Sequence, residues 1–170
     1  MMQHTLTVLV ENKPGVLARV SAMFSNRGFN IHSLAVGPTH QEGRSRITLV
    51  VDAPELEQLT KQLNKLVNVI KVQEIEADVA LEREVMMARI ACDSVTRGQV
   101  RDTASLFDAK VIDLGAGSIT FEVAGSPEHL GAFLDHMSVY GVVDLVKSGR
   151  IAMRRESELS PTTATAGTAT

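Results

Sequence analysis

Between Thr5 and Gly28 the chain changes its hydrophobic period once, and that change limits what it can fold into. Thr5 to Val10 is short, apolar and rich in Val and Leu, which is the composition of a buried strand. The run stops at Glu11-Asn12-Lys13-Pro14-Gly15, and beyond it the apolar residues fall at Val16, Leu17, Val20, Met23 and Phe24, which is helical spacing. Asn12 stands where a side-chain cap would. Pro14 lacks the amide hydrogen that a first helical turn cannot use, and Gly15 has no side chain to keep a ligand off the backbone. The helix is expected to run to Asn26 or Arg27, where Gly28 supplies the left-handed residue that ends helices. Unpaired amides and the positive end of a helix dipole then meet in one small space, which suits a carboxylate or a phosphate. Most such turns bind only water, so the bend alone names no ligand.

The rest of the chain repeats this alternation. Phe29 to Val36 reads as a second strand, with Phe29, Ile31, Ser33 and Ala35 on one face and Asn30, His32, Leu34 and Val36 on the other. Ser45 to Asp52 is a third strand. Pro54 opens a helix with the stripe Leu56, Leu59, Leu63, Leu66 and Val67, and Val69 to Ile75 is a fourth strand. After the acidic connection 74–78 the order begins again, with a strand Glu84 to Cys92, a helix Thr96 to Phe107 and two strands, Lys110 to Leu114 and Ser118 to Val123. A helix capped by Ser126-Pro127 and a strand Val142 to Val146 follow, the last extended by Ile151 to Met153. The element order is duplicated although the residues barely repeat, and the second half has no counterpart of ENKPG. The fold class expected is α+β, two ferredoxin-like βαββαβ domains over 1–77 and 78–155. The Thr- and Ala-rich tail 156–170 is expected to be disordered.

Charge and composition then exclude several function classes. With 17 Lys and Arg against 20 Asp and Glu and no long run of basic residues, the sequence speaks against a nucleic-acid partner, since binding a polyanion draws on clustered cations. A ferredoxin-like sheet that stacks RNA bases uses strand aromatics, and LTVLV and SRITLVVD contain none. Cys92 is the only cysteine, which leaves no internal disulfide and no cysteine zinc cluster, and it reads as a small core hydrophobe. The five histidines show no paired metal spacing, and no nucleophile elbow, P-loop or glycine-rich dinucleotide motif is present. Glu82-Arg83-Glu84 reads as a solvated or subunit-contacting edge rather than a catalytic carboxylate pair, and Met86 and Met87 as core. No catalytic residue and no metal site is expected. With no apolar run of membrane-spanning length and no signal-peptide pattern, a cytoplasmic protein is the default. A plastid stroma form without its transit peptide would look the same.

The wording of ENKPGVLARV followed by FSNRGFNIHSLAVGPT resembles the ACT domain, a small-molecule-sensing βαββαβ module. Together with SRITLVVDAP, LTKQLNKLVNVIKV and LEREVMMARI, it resembles more specifically the regulatory (small) subunits of acetohydroxyacid synthase, also called acetolactate synthase, from about Thr5 to about Arg155. That resemblance implies a chain that is not itself an enzyme. Such a chain activates a catalytic large subunit of branched-chain amino-acid biosynthesis and confers feedback inhibition by valine, leucine or isoleucine. Thiamine diphosphate, Mg2+ and FAD would belong to the partner, with no cofactor in this chain. It also implies a homodimer through the ACT domain, with the effector held between two chains. By motif, Asn12, Gly15, Val16 and Leu17 would form one wall and Asn30 and Ile31 the other. Amides of Gly15, Val16 and Leu17 would hold the effector carboxylate, the side-chain oxygens of Asn12 and Asn30 its ammonium, and Val16, Leu17 and Ile31 its methyl groups. Asparagine is unfavourable inside a strand, which singles out Asn30, while Lys13 reads as solvated. A stand-alone amino-acid sensor with another target is the alternative, and no nucleic-acid or membrane partner is expected.

Overall fold

The computed structural model describes residues 3–156. The first half forms β1 (Gln3–Glu11), α1 (Val16–Ser25), β2 (Ile31–Pro38), β3 (Arg44–Asp52), α2 (Leu56–Leu63) and β4 (Val69–Ile75). The second forms β5 (Ala80–Ala91), α3 (Arg97–Ser105), β6 (Lys110–Leu114), β7 (Ser118–Gly125), α4 (Pro127–Met137), β8 (Val142–Lys147) and β9 (Ile151–Arg154). The first sheet has strand order β2-β3-β1-β4 and the second β6-β7-β5-β8, with β9 also on β5. Every pairing is antiparallel. The expected α+β class with two βαββαβ units is what the chain adopts. The tail from 157 onward lies outside the described residues.

Each sheet has its own apolar core, because alternate residues of the central strand turn toward a helix pair. In the first, Leu6, Val8 and Val10 of β1 meet Val16, Val20 and Phe24 of α1 and Leu59 and Leu63 of α2. In the second, Met86, Ala88 and Ile90 of β5 meet Val100, Ala104, Leu130, Phe133 and Met137. Cys92 is buried in that second core, as its small apolar character suggested. A small third cluster, Ile75, Ala80 and Ala152, lies where β5 and β9 begin to cover the far face of the first sheet.

The first helix ends as its glycine requires. Gly28 takes φ 70°, its amide reaches the Ser25 carbonyl, and the Phe29 amide reaches the Phe24 carbonyl at 3.1 Å. The rings of Phe24 and Phe29 meet edge-on at 6.5 Å. This is the Schellman closure with its hydrophobic contact, and the second half repeats it at Asp108, which takes φ 54° without a glycine.

Several expectations are corrected. Asn12 does not cap α1, because Gly15, at φ 82°, occupies the cap position and no side chain caps it. Asn30 precedes β2 instead of sitting inside it, and the register slips between Ile31 and Ser33, so His32 is an extra residue in a bulge. Ile31 and Leu34 therefore share the helix-facing side, opposite Val51 and Leu49, and the simple alternation fails. Val67 lies outside its helix and is 95% exposed, and Met87 is half exposed beside a fully buried Met86. β5 starts at Ala80, well before Glu84. Ile151–Arg154 is a separate strand: β8 and β9 run along one edge of β5 but are interrupted by Ser148-Gly149-Arg150. Finally, Glu82 and Glu84 are not a solvated edge. Both are largely buried and both face the Arg150 guanidinium, with Nη1 3.3 Å from Glu82 Oε2 and Nε 3.6 Å from Glu84 Oε1.

Candidate functional site at the first strand-to-helix bend

The bend after β1 is pinned from both sides. The Glu11 amide donates to the Asn68 carbonyl at 2.9 Å and the Asn12 amide to the Gly43 carbonyl at 2.8 Å. The Asn68 side-chain amide donates to Glu11 Oε2 at 2.6 Å, and Lys13 Nζ lies 3.0 Å from the same oxygen. Lys13 is therefore mostly exposed, as expected, but paired. These two contacts, Asn68 first, hold the Glu11 carboxyl below its usual range. The bend itself is open: a Cβ on Gly15 would meet no atom of the described residues beyond its chain neighbours within 4 Å. The Val16 amide makes one long bond, 3.4 Å, to the Lys13 carbonyl, whereas the amides of Gly15, Leu17 and Ala18 have no protein acceptor among the described residues.

The equivalent bend after β5 is built differently, and the comparison tells what such amides prefer. Asp93 Oδ1 accepts from the amides of Val95 at 2.9 Å and Thr96 at 2.7 Å, and from the Thr96 hydroxyl at 2.8 Å. Those bonds, chiefly from Thr96, hold the Asp93 carboxyl below the usual carboxylate range. The second bend thus carries a carboxylate that accepts from its own amides, while at the first, where Lys13 stands two residues past its strand as Asp93 does, no carboxylate among the described residues does so. A folded pKa below the unfolded one stabilises the protein above the ordinary carboxylate range, and this contribution is lost as pH falls through the lowered value. Asp93→Ala is accordingly expected to unfold at lower urea concentration than wild type at neutral pH and to converge with it in acid. Paired urea titrations at the two pH values check this.

Of the six candidate residues, Asn12, Gly15, Val16 and Leu17 lie together at this bend. Val16 is 4% exposed and belongs to the core, so only its backbone faces the bend. Leu17 is exposed and the Asn12 side chain is free of hydrogen bonds among the described residues. Asn30 and Ile31 lie elsewhere. Asn30 accepts from the Asp52 amide at one end of β3, whereas the bend touches Gly43 at the other. Eight residue steps of strand separate the two places, roughly 26 Å, so one chain does not bring the two walls together. Around Asn30, the His32 ring nitrogen approaches Asp52 Oδ2 at 2.5 Å and the Asn30 side-chain amide at 3.4 Å. Ile31 packs half-buried against the first core.

Sequence reasoning missed the cluster of Thr5, Glu82, Glu84 and Arg150 that joins the two sheets. The alternation Glu82-x-Glu84, which puts both carboxylates on one face of a strand, is the signal that could have found half of it. Among the described residues no group of three or more His, Cys, Asp or Glu side chains is placed to hold a metal ion. No helix is long and apolar enough to cross a membrane.

A βαββαβ sheet whose first bend exposes amides over a glycine, followed by a second unit of the same order, defines an ACT-type regulatory fold. Residues 6–71 match the family described as the AHAS small subunit-like ACT domain, and residues 83–156 match the family of the small subunit of acetolactate synthase. The chain is 52% identical over 155 residues to the acetolactate synthase small subunit of Mycolicibacterium smegmatis, covering 89% of this chain and 91% of that one. It is 44% identical over 156 residues to a probable acetolactate synthase small subunit of Archaeoglobus fulgidus, covering 91% and 98%. The crystal structure of the small subunit from Thermotoga maritima superposes with a TM-score of 0.83 at 31% identity, covering 91% and 98%. The chain belongs to the acetolactate synthase small-subunit family.

Proposed function

We propose that this chain is the non-catalytic subunit that activates an acetolactate synthase catalytic chain and makes it sensitive to a branched-chain amino acid, valine foremost. Thiamine diphosphate, Mg2+ and FAD chemistry then resides in the catalytic partner. Residues 1–77 serve as the effector-binding and dimerising unit, and 78–155 as a second unit that contacts the partner or completes the oligomer.

The observation that carries the effector site is the contrast between the two bends. Asp93 occupies one, and the other offers the same kind of amides to a carboxylate from outside. The effector carboxylate takes the amides of Gly15 and Leu17, with Val16 contributing its backbone. Asn12 and, from the partner chain, Asn30 accept from the ammonium, while Leu17 and Ile31 enclose the methyl groups.

Dimerisation answers the separation of the two walls. β2 is an edge strand whose outer side pairs with no strand among the described residues, and Leu34 and Val36 on its helix-facing side are 37% and 48% exposed. A two-fold mate pairing antiparallel along β2 sets its own Asn30 end beside the Pro38 end of the first chain. That is the end at which the bend lies, because Pro38 pairs with Ser45 and Glu11 with Arg44.

The test is calorimetry and inhibition on the full chain with its catalytic partner. Valine is expected to bind the wild type and to inhibit the complex. Asn30→Ala is expected to leave activation of the partner intact while weakening valine binding by about tenfold, the loss of one hydrogen bond to a charged group. Normal valine sensitivity in Asn30→Ala would remove Asn30 from the site.

A further inference from the structure

We propose that the three residues Ser148-Gly149-Arg150 form a strap that transmits effector occupancy from the first sheet to the second. The inference rests on the effector site proposed above and names how that site is read by the rest of the chain.

The strap interrupts what would otherwise be one strand along β5. Before it Lys147 pairs with Met86 and after it Ile151 pairs with Arg83, and Ser148 keeps the ladder alive. Its amide donates to the Val85 carbonyl at 2.9 Å and its hydroxyl accepts from the Val85 amide at 3.0 Å. Gly149, at φ 85°, then turns the chain onto β2, so close that a Cβ there would stand 2.7 Å from the Leu34 carbonyl oxygen. The Arg150 amide donates to the Ser33 hydroxyl at 2.7 Å. The guanidinium of Arg150 returns to the second sheet through Glu82 and Glu84, and Glu82 in turn accepts from the Thr5 hydroxyl of β1 at 2.8 Å. One short segment is thereby fixed to β5, to β2 and, through Glu82, to β1.

The point at which it grips β2 is what makes it a reader of the effector. Ser33 follows the bulge at His32, immediately beyond Asn30 and Ile31. A bulge is the place where a strand changes twist, so a ligand that draws Asn30 and Ile31 moves Ser33 against the strap. Beside the contact lies a cavity of about 440 Å3, lined among others by His32, Glu84, Lys147 and Arg150, which gives the strap room to shift. Because the strap is continuous with β8 and β9, its displacement alters the pairing of both with β5.

The test uses the full chain with its catalytic partner and valine as the probe. Ser33→Ala removes the hydroxyl acceptor, Ser33→Thr keeps one, and Gly149→Ala forces the strap off Leu34. Ser33→Ala and Gly149→Ala are expected to bind valine within about threefold of wild type while the inhibition reached at saturating valine falls to less than about half of the wild-type extent, and Ser33→Thr to restore inhibition. Hydrogen exchange over residues 142–154 is expected to change on adding valine to wild type and not to Ser33→Ala. Should Gly149→Ala fail to fold, Ser33→Ala decides alone. The strap is overturned if Ser33→Ala is inhibited as wild type is, if it loses valine binding itself, or if valine alters exchange in wild type only over residues 11–39. A wild-type chain that binds no valine overturns the effector site, and the strap with it.

Discussion

Lys13→Asp is expected to yield a folded chain that binds valine at least about tenfold, and up to about a hundredfold, more weakly than wild type. The second bend supplies the reason. There Asp93 sits two and three residues before the amides of Val95 and Thr96 and accepts from both. An aspartate at position 13 has the same sequence spacing to the amides of Gly15 and Val16, the cap and first residue of α1, and an incoming carboxylate would have to displace it. A hydrogen bond to a charged group is worth about 1.5 to 3 kcal/mol, and each 1.4 kcal/mol is a factor of ten in affinity. The substitution also removes the ammonium that pairs with Glu11, but that contact is exposed and small. Lys13→Ala separates the two effects: it removes the charge without supplying a competitor, and should bind valine within about threefold of wild type. Calorimetric titration of both variants measures the difference. Equal affinity in Lys13→Asp and wild type would show that the effector carboxylate is not held by these amides.

That bend is also where sequence and structure agree on the outline and part on the detail. The change of period after Val10 was enough to place a strand, a turn and a helix, because burial forces a period of two on one and of 3.6 on the other. It was enough again in the second half, where the spacing turns Val100, Ala104 and Phe107 of one helix and Leu130, Phe133, Leu134 and Met137 of the other inward: all are in or against the core, with Phe107 and Leu134 only partly buried. What period cannot carry is a bulge: one extra residue at His32 exchanges the faces of everything before it, and no local residue type announces it. Nor could it place Asn12, whose suitability as a cap was overridden by a glycine three positions on that adopts the left-handed conformation instead. Glu82 and Glu84 show the converse limit. Their charge suggested solvent, but burial was decided by Arg150, a residue 68 positions from Glu82 whose approach depends on the strap. Contacts of that range belong to tertiary structure, and a single sequence does not encode them in any pattern of its own. The two walls of the effector site are a further step removed, since their meeting requires a second chain.

Phe24→Ala is expected to cost the first sheet about 3 to 5 kcal/mol, the range for truncating a fully buried phenylalanine. Phe24 is completely enclosed between α1 and the sheet, and its ring supports the edge of Phe29. Removing it does more than open a cavity. The Phe24 carbonyl receives the amides of Arg27 and Phe29, so the closure of α1 depends on how that residue is seated, and Asn30 and Ile31 follow directly. The loss of stability should therefore be joined by a loss of valine affinity even at temperatures where the chain remains folded. Val67→Ala is the matching control: the side chain is almost wholly exposed and its loss should stay within about 0.5 kcal/mol. Urea unfolding of both variants, with valine titrated at low denaturant, checks the two halves of the expectation separately. A Phe24→Ala chain that was destabilised yet bound valine as wild type does would mean that the segment after α1 is set by β3 alone, through the Asn30 carbonyl and the Asp52 amide.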